Sequence, residues 1–575
     1  MVSPGQSDVP HASQDAETLP ARHHDAGATR RRAHGPALSE GTGRGRRALR
    51  WCVVAASFFV LVGLWAVATP AMSSPDEPSH TVKAVAVARG ELLGSVGPRP
   101  TTWMVPGALT TVKIPADYAS VADLNCYATV PDQDASCMPA LPSDSETLVD
   151  ATTAAGHYPP LYYALVGWPS RFLPADPGIL VMRLVSGALS TAFVVAGLVA
   201  LRATRAPRAL RWGAVSALTP MCLFLFGTIN PNGLEISTAF AAWASAGAVF
   251  RSRGRPPVWL LSVAGVSFAV LANIRSLSPL WAVVVLVITI ATSWSAQRLW
   301  QDRRRLVLGS AVGVVVVSVP SLLWAVRHGT LLTGEGLWPQ YQSVERAVTD
   351  MVLTLTKQYE QMIGNFGWFD SPAPLLTLLL WTVSVGMLFA LAMQATGQRL
   401  AKAALVVLLV GVVVGPMIIQ LPGAADAGLV WQGRYTLPIA IGIPLLAGWL
   451  LSSSDGVGGA SEVPQVRQGL SPAEGVARGM VVALGIAHAV AFYGAARRYA
   501  VGSDGPYVTS DPAWSSNLGF VPAVLLYAVA LAVFLVALSA RGRGEVSRDG
   551  RLQPDDGGLT SDQTGAPTSA HEVAR

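Results

Sequence analysis

The sequence predicts an all-α fold, a polytopic membrane protein whose helices cross the bilayer about twelve times. Only 13% of its 575 residues are charged and 51% are hydrophobic, whereas about a quarter of the residues of a soluble domain are charged. Apolar runs of about 20 residues, the length of a membrane-spanning helix, recur along the chain. The predicted spans are 51–70, 179–201, 209–228, 233–250, 257–273, 277–296, 306–326, 373–394, 402–421, 432–451, 477–496 and 519–540.

Polar tails flank this apolar region. Residues 1–47 are rich in Ala, Gly, Arg and His and have almost no large apolar side chains, so we predict a disordered N-terminal tail. The first apolar run starts near residue 51 and is long, which indicates an uncleaved anchor rather than a signal peptide. A polytopic membrane domain at 48–541 and a disordered tail at 542–575 complete the predicted organisation.

The basic residues predict the orientation of the helices. They cluster on every second connection, on the same side as the Arg-rich N-terminus, and cytoplasmic connections are the ones enriched in Lys and Arg. Both termini are therefore predicted to be cytoplasmic, in a multi-pass protein of the plasma membrane. The net charge of +6 follows from this pattern and gives no reason to expect a nucleic-acid partner.

The opposite side of the membrane receives the large polar segments 71–177 and 327–372. Cys126 and Cys137 in the first segment can form a disulfide if the segment is extracytoplasmic. Metal binding is the weaker interpretation of this pair, because no second Cys pair or nearby His completes a site. Loops held by a rigid scaffold often carry function, so we look for the site on this face.

The end of the first segment combines aromatic residues with proline, in the stretch His157-Tyr158-Pro159-Pro160-Leu161-Tyr162-Tyr163. The apolar stretch that follows, as far as Leu173, is too short to span a bilayer. We predict an interfacial helix whose aromatic rings lie at the level of the lipid headgroups. Such a helix either lines the access route of a lipid-linked substrate or is an ordinary aromatic belt, and the pattern alone favours the belt.

Two adjacent carboxylates, Asp76 and Glu77, follow the first span and lie between Pro75 and Pro78. The prolines disfavour helix in the residues before them, which predicts a turn at the membrane surface. The pair is either a solvated helix cap or a site in which one carboxylate, Asp76 as first choice, is a general base. His80 would orient a carboxylate or bind phosphate. A divalent cation beside the pair is compatible with these oxygens, although no second acidic cluster requires it.

Two arginines are predicted on the same face, against the positive-inside trend. Arg275 lies between two apolar runs, and Arg434 lies in Gln432-Gly433-Arg434-Tyr435, where a span begins. A guanidinium group can bind phosphate or carboxylate through two parallel hydrogen bonds. The alternative partners are the lipid headgroups, which long side chains can reach from the interface, or the carboxylates of Asp76, Glu77, Asp370 and Asp426.

The stretch 365–372 is a further candidate. Trp368 could stack on a sugar ring, and Asp370 could accept hydrogen bonds from sugar hydroxyls or cap the next helix. The sequence has no phosphate-binding glycine motif and no HExxH metal motif. Ionisable residues inside the spans are scarce, Glu235 and His488 being the main ones, which argues against ion-coupled transport.

Four of these stretches, in the same order, resemble a family of bacterial multipass membrane proteins of unknown function. The resemblance covers roughly residues 50 to 540. The family is similar in layout to the GT-C glycosyltransferases, which have many spans, a large first outer loop and an acidic residue just after the first span. The four motifs are Pro75-Asp76-Glu77-Pro78-Ser79-His80, Tyr158 to Tyr163, Gly367-Trp368-Phe369-Asp370-Ser371-Pro372, and Gln432-Gly433-Arg434-Tyr435-Thr436-Leu437-Pro438.

The resemblance implies a membrane glycosyltransferase that transfers a sugar from a polyprenyl-phosphate donor to a cell-envelope glycan or lipid on the outer face. In GT-C enzymes the acidic residue is the catalytic base, which would be Asp76 here, with Glu77 as the alternative. The competing hypotheses are a transporter or flippase of an envelope lipid or glycan, and a non-catalytic membrane scaffold. Besides membrane lipids, the predicted substrate would contact His80, His157, Tyr158, Arg275, Trp368, Asp370, Gln432, Arg434 and Tyr435.

Overall fold

The computed structural model describes residues 38–96, 109–143, 146–203, 208–252, 255–293, 296–329, 338–454, 472–508 and 511–540. The chain divides into two units, Met1–Arg47 and Ala48–Arg575. Of the first unit only residues 38–47 are described, and they belong to the first helix. The rest of the predicted tail at 1–47 and the predicted tail at 542–575 lie outside the described residues.

The described part of the chain is mostly helical. Its α-helices, in chain order, are α1 (Leu38–Ala68), α2 (Glu77–Ala88), α3 (Ala116–Ala119), α4 (Leu161–Gly167), α5 (Ala175–Ala203), α6 (Arg208–Ala217), α7 (Pro220–Phe226), α8 (Pro231–Arg251), α9 (Val258–Leu271), α10 (Ser278–Ala291), α11 (Ala296–His328), α12 (Val344–Leu353), α13 (Leu355–Ile363), α14 (Leu375–Gln394), α15 (Arg399–Gln420), α16 (Ala424–Ala427), α17 (Leu437–Ala440), α18 (Gly442–Ser454), α19 (Pro472–Val501) and α20 (Phe520–Ser539). Its strands are β1 (Ser95–Val96), β2 (Thr110–Pro115), β3 (Leu148–Thr153), β4 (Asn365–Phe366) and β5 (Ser371–Pro372).

Seven of the described helices are long and apolar enough to cross a membrane, and a bent pair at α6 and α7 brings the number to eight. Each predicted span coincides with a helix or with consecutive helices, which confirms the multipass membrane class. The count of twelve stays a prediction. The runs at 257–273 and 277–296 fold as α9 and α10, which have 14 residues each, fewer than the roughly 20 needed for a straight crossing.

Helix α8 lies at the centre of the bundle. Its residues from Pro231 to Phe250 are all buried, and it packs against α5, α7, α9 and α10. Trp243 in its middle donates its indole N–H to the carbonyl oxygen of Pro438 on α17, 3.0 Å away. Because protein encloses α8, the helix can carry polar residues that lipid would not tolerate, and Glu235 is one of them.

An aromatic cluster fixes the end of α1. Trp65 is fully buried, and its ring centroid lies 5.7 Å from Phe224 on α7, 4.9 Å from Phe366 on β4 and 5.1 Å from Phe492 on α19. Tilted and edge-to-face contacts of this kind stabilise packing beyond the area that they bury. The cluster therefore brings four distant parts of the chain to the place where the acidic turn begins.

The predicted outer segment 71–177 folds as a small subdomain. Helix α2 packs against α4 and against β2 and β3, and the strands form an antiparallel sheet in the order β1-β2-β3. Cys126 and Cys137 are joined by a disulfide with a Cα–Cα distance of 6.1 Å. The second predicted segment, 327–372, contains α12, α13 and the β4–β5 hairpin.

The aromatic stretch at the end of the subdomain forms a short helix, and its interfacial position stays a prediction. Helix α4 has only seven residues, and Tyr162 and Tyr163 are fully buried against protein. The hydroxyl of Tyr162 shares a 3.2 Å hydrogen bond with that of Ser186 on α5. Packing against α2 and α5 takes both tyrosines into the core, and the exposed aromatic residues are Trp168 and Phe172, at 50% and 77%.

Candidate functional site

The turn between α1 and α2 carries the acidic pair. Helix α2 begins at Glu77 with Pro78 in its first turn, where the missing N–H of proline costs no helical hydrogen bond. Asp76 precedes the helix with φ 64° and ψ 1°, a left-handed conformation that residues other than glycine seldom adopt. Its carboxylate does not cap α2 and is therefore available for other contacts. Strained positions of this kind cluster at functional sites.

Glu77 points into the protein and is fully buried. Nε and Nη2 of Arg183, on α5, donate to its two carboxylate oxygens at 2.8 and 2.7 Å. The backbone N–H groups of Ser74 and Ile229 add hydrogen bonds of 3.2 and 2.9 Å. Glu77 therefore joins the acidic turn to α5 and to the residues that precede α8.

Arg183 also holds the end of α1. It donates to the carbonyl oxygens of Ala66, Thr69 and Pro70 at 3.1, 3.0 and 2.8 Å. The last carbonyls of a helix have no partner within the helix, so a guanidinium group from a neighbouring helix supplies one. We call Glu77 and Arg183 the buried pair.

Asp76 differs from its neighbour, since its side chain keeps 47% exposure. Nη2 of Arg434 forms an ion pair with Oδ2 of Asp76, and Nη1 donates to the carbonyl oxygen of Pro75 at 3.0 Å. Burial opposes ionisation of Asp76, but the guanidinium of Arg434, aided by Arg275, brings the pKa of Asp76 below its usual value. The carboxylate is therefore ionised at neutral pH.

Arg434 lies on a 3-10 turn, Gly433–Tyr435, which packs closely on α13. The N–H of Gly433 donates to Oε1 of Gln361 at 2.8 Å. A Cβ atom at Gly433 would lie 2.0 Å from the carbonyl oxygen of Gln358 and 2.9 Å from the Cβ of Gln361. Only glycine lets this 3-10 turn approach α13 at such a distance. The position of the turn then determines the position of Arg434.

Replacing Gly433 by Ala should displace this turn, and Arg434 with it. We expect the free energy of unfolding to fall by about 1–3 kcal/mol, the usual cost of overpacking, in denaturant unfolding of the detergent-solubilised protein. Gly415→Ala on α15 is the matched control, because a Cβ there meets nothing within 4 Å. Equal stability of the two variants would contradict the close packing of the turn.

Arg275, in the connection between α9 and α10, is 16% exposed. Its Nη1 lies 3.5 Å from Oε2 of Glu235 on α8, and the hydroxyl of Ser278 donates to the other oxygen of Glu235 at 2.6 Å. The ion-pair partner of Arg275 is thus a carboxylate inside the bundle and none of the four considered from the sequence.

Tyr435 brings the two arginines together. The guanidinium carbons of Arg275 and Arg434 lie 4.4 and 5.2 Å from the centroid of its ring, and that of Arg275 also lies 5.7 Å from the ring of Tyr158. Such cation–π contacts are attractive and orient the cations. Asp76, Arg275, Arg434, Tyr158 and Tyr435 therefore converge near the end of α1, and we call these five residues the polar site.

His80 forms part of the wall of the polar site. It is 4% exposed, its Nδ1 lies 3.0 Å from the hydroxyl of Tyr163, and its ring centroid lies 5.9 Å from that of Tyr158. Burial lowers the pKa of His80 to about 3, although Asp76 acts in the opposite direction. The imidazole is therefore neutral at physiological pH and offers no positive charge to a phosphate.

The backbone that leads to Tyr158 is held from both sides. Trp324 on α11 donates its indole N–H to the carbonyl oxygen of His157 at 2.8 Å. Lys83, buried on α2, donates to the carbonyl oxygen of Gly156 at 2.5 Å. These contacts fix the direction in which Tyr158 enters the polar site.

Trp368 and Phe369 approach the site from the β4–β5 hairpin. The indole N–H of Trp368 donates to the carbonyl oxygen of Met72 at 3.1 Å, just before the acidic turn. Phe369 has φ 64°, and its ring centroid lies 5.6 Å from the guanidinium carbon of Arg434. The hairpin therefore borders the polar site with two aromatic residues.

Asp370 is part of the scaffold instead. Its side chain is only 6% exposed, and its Oδ2 accepts the N–H of Thr129 at 2.8 Å and lies 3.4 Å from Nη2 of Arg498. The same guanidinium holds the loop that the disulfide closes. It donates to the carbonyl oxygens of Tyr127, Val130 and Gln133 at 2.9, 2.8 and 2.6 Å.

Two buried polar atoms near the site have no hydrogen-bond partner within the described structure, Oε1 of Gln432 and Nε of Arg434. An unpaired buried polar group is costly, so both are candidate contacts for a bound molecule. No group of three or more His, Cys, Asp or Glu in the described ranges is placed to hold a metal ion. The divalent cation considered from the sequence would rest on Asp76 alone, because Arg183 occupies the oxygens of Glu77.

Arg183, Arg498 and Lys83 were not predicted. Arg183 had a signal, since it is a lone cation inside the apolar run 179–201, and a charge in such a place needs a partner. Arg498 lies two residues beyond a predicted span, where an arginine is ordinary. Lys83 has no distinctive pattern around it.

The fold and the polar site define a multipass membrane protein with charged and aromatic residues gathered near the end of its first helix. The chain belongs to the family described as "Predicted membrane protein (DUF2142)", whose model matches residues 58–443, and the resemblance to a family of unknown function is thereby confirmed. No curated protein matches it.

Two solved structures of ArnT from Cupriavidus metallidurans are similar to the chain. The apo structure has a TM-score of 0.39 and 13% identity, and the match covers 86% of this chain and 77% of the other. The structure bound to undecaprenyl phosphate has a TM-score of 0.36 and 14% identity, and the match covers 88% of this chain and 78% of the other.

Proposed function

We propose that the protein is a membrane glycosyltransferase that transfers a sugar from a polyprenyl-phosphate donor to a hydroxyl group of a cell-envelope glycan or lipid. The observation that carries this proposal is the composition of the polar site. A half-exposed carboxylate, two guanidinium groups and two tyrosine rings meet beside the end of a membrane helix. Glycosyl transfer from a lipid phosphate needs a base for the acceptor, a cation for the leaving group and apolar faces for the sugar.

Asp76 is the base in this proposal. It accepts the proton of the acceptor hydroxyl while the acceptor oxygen bonds to the anomeric carbon of the sugar. The bond between that carbon and the phosphate oxygen breaks, and the polyprenyl phosphate leaves with the electron pair. We prefer Asp76 to Glu77 for this role, because Glu77 is fully buried and Arg183 holds both of its oxygens.

Arg434 and Arg275 bind the phosphate. Arg434 has an unpaired Nε and is the ion-pair partner of Asp76, so a bound phosphate would compete with Asp76 for the same guanidinium. Moving that positive charge from the carboxylate to the phosphate raises the pKa of Asp76 and makes it a stronger base. Donor binding would therefore activate the base.

The sugar contacts the aromatic wall of the site. The rings of Tyr158 and Tyr435 flank Arg275, and Trp368 lies at the hairpin side. The unpaired Oε1 of Gln432 would accept a hydrogen bond from a sugar hydroxyl. His80 supports Tyr158 as a neutral neighbour.

We also propose an orientation of the protein in the membrane. The polar site would face the outside of the plasma membrane, with twelve spans and both termini in the cytoplasm, because the basic clusters lie on alternate connections. The acceptor would then be a component of the cell envelope.

The test uses the purified full-length protein in liposomes that contain a set of polyprenyl-phosphate sugars and an envelope glycan fraction as acceptor. Two quantities are measured in the same sample, the release of polyprenyl phosphate and the movement of the intact donor between leaflets. Release coupled to a glycosylated acceptor supports the proposal. Movement of an unaltered donor would replace it by the transporter hypothesis, and neither release nor movement would favour a scaffold.

A further inference from the structure

A second region of the bundle, distinct from the polar site, has the shape and charge of a lipid-binding groove. The groove has a volume of about 300 Å³ and lies between α8, α9, α10 and α11. Gly265 on α9 and Gly309 and Gly313 on α11 form part of its walls. A Cβ atom at any of these glycines would meet nothing within 4 Å, so the glycines leave space that no neighbouring side chain fills.

The groove lies at the other end of α8 from the polar site. The start of α8 adjoins the acidic turn, since Asn230 donates from Nδ2 to the carbonyl oxygen of Pro75 at 3.1 Å. The groove contacts α8 at Ala246, Val249 and Phe250, roughly 25 Å further along the helix at 1.5 Å per residue. A molecule in the groove would therefore not touch the polar site.

The lining of the groove is apolar except at one end. Phe268, Leu286 and Val317 are typical of its walls, while Arg305 and Ser310 on α11 are its polar members. Arg305 is exposed and has no hydrogen-bond or ion-pair partner in the described part of the chain. The groove thus combines a hydrocarbon surface with an unpaired cation at the start of a membrane helix.

The groove is open to the surrounding lipid. Leu261 is 38% exposed, and Gly265 and Gly309 are exposed as well. A molecule can therefore enter sideways from the bilayer. The apolar walls suit a hydrocarbon chain better than a polar ligand.

We propose that this groove binds an anionic phospholipid, with one acyl chain between α9 and α11 and the phosphate at Arg305. The charge favours an anionic lipid over a zwitterionic one, because basic pockets between membrane helices bind anionic headgroups. The occupant is a lipid of the leaflet that faces the basic connections, and the groove serves to hold α9, α10 and α11 together rather than to present a substrate to Asp76.

The test compares lipid retention by the full-length protein after delipidation in detergent. The protein is mixed with equal amounts of phosphatidylglycerol and phosphatidylcholine that have the same acyl chains, and the bound lipid is counted by native mass spectrometry. Phosphatidylglycerol should be retained in preference. Arg305→Gln should reduce its retention about five-fold, whereas Arg399→Gln, at an exposed position at the start of α15, should not.

A second pair of variants tests the chain-binding part of the groove. Gly309→Leu with Gly313→Leu fills the groove and should reduce retention about ten-fold or more, since chain burial drives lipid binding. Gly411→Leu with Gly415→Leu on α15 is the matched control, because those glycines also have open space around them. Equal retention of the two phospholipids, or unchanged retention in the filled variant, would overturn the proposal.

Discussion

Asp76→Asn should lower sugar transfer by about 10²- to 10⁴-fold, the usual contribution of a general base. The amide cannot accept the proton of the acceptor hydroxyl. Asn tolerates the left-handed backbone that residue 76 adopts, so the turn is retained. The turnover number for release of polyprenyl phosphate is the quantity to measure, together with the unfolding transition. Some loss of stability is expected, because the buried Arg434 loses its ion-pair partner, although the amide oxygen of Asn can still accept its hydrogen bond.

The matched control for this change is Asp150→Asn. Asp150 is an acidic residue of the same subdomain, 66% exposed and paired with Lys113, and its replacement should leave turnover unchanged. If Asp76→Asn and Asp150→Asn both retain the turnover number of the unaltered protein, Asp76 is not the catalytic base.

The second large effect is expected from the buried pair. Arg183→Met should lower the free energy of unfolding by about 3–5 kcal/mol, the cost of leaving one buried charge without its partner. The loss has two sources, the uncompensated carboxylate of Glu77 and the carbonyl oxygens at the end of α1 that Arg183 satisfies. Denaturant unfolding in detergent measures this loss, and a low yield of folded protein would accompany it.

Two further variants separate charge from packing. Arg183→Met combined with Glu77→Leu should be more stable than Arg183→Met alone, because the double variant leaves no buried charge without a partner. Arg346→Met, which breaks an exposed pair with Asp350, should cost less than about 1 kcal/mol. If Arg183→Met were no more destabilising than Arg346→Met, the buried pair would not hold the turn.

The sequence was sufficient for the positions of the long apolar helices and for the existence of the acidic turn, but not for the helices of the outer segments, such as α2 and α12. Apolar runs of span length mark the helices wherever they pack, and Pro75 and Pro78 mark the turn by fixing the backbone. The sequence does not show that Asp76 is half exposed and that Glu77 is buried. Adjacent residues point in different directions, and the choice of the buried one depends on how α2 lies against α5.

The ion-pair partners of the two arginines could not be predicted from the local sequence either. Arg434 meets Asp76 and Arg275 meets Glu235, although each arginine had several carboxylates to choose from in the sequence. Which carboxylate each arginine meets depends on which helices are neighbours in the bundle. Arg275 meets Glu235 because the central helix α8 packs against α9 and α10. The antiparallel sheet in 71–177 was missed for a related reason, since its strands are short and flanked by polar residues and have little periodicity to identify them.

The polar site joins parts of the chain that are made at very different times during synthesis. Glu77 meets Arg183, 106 residues later, whereas Asp76 meets Arg434, 358 residues later. The buried pair can therefore form once α5 has entered the membrane, while the ion pair of Asp76 requires the tenth predicted span. A nascent chain released before residue 434 would hold its acidic turn in place without the cation that completes the site.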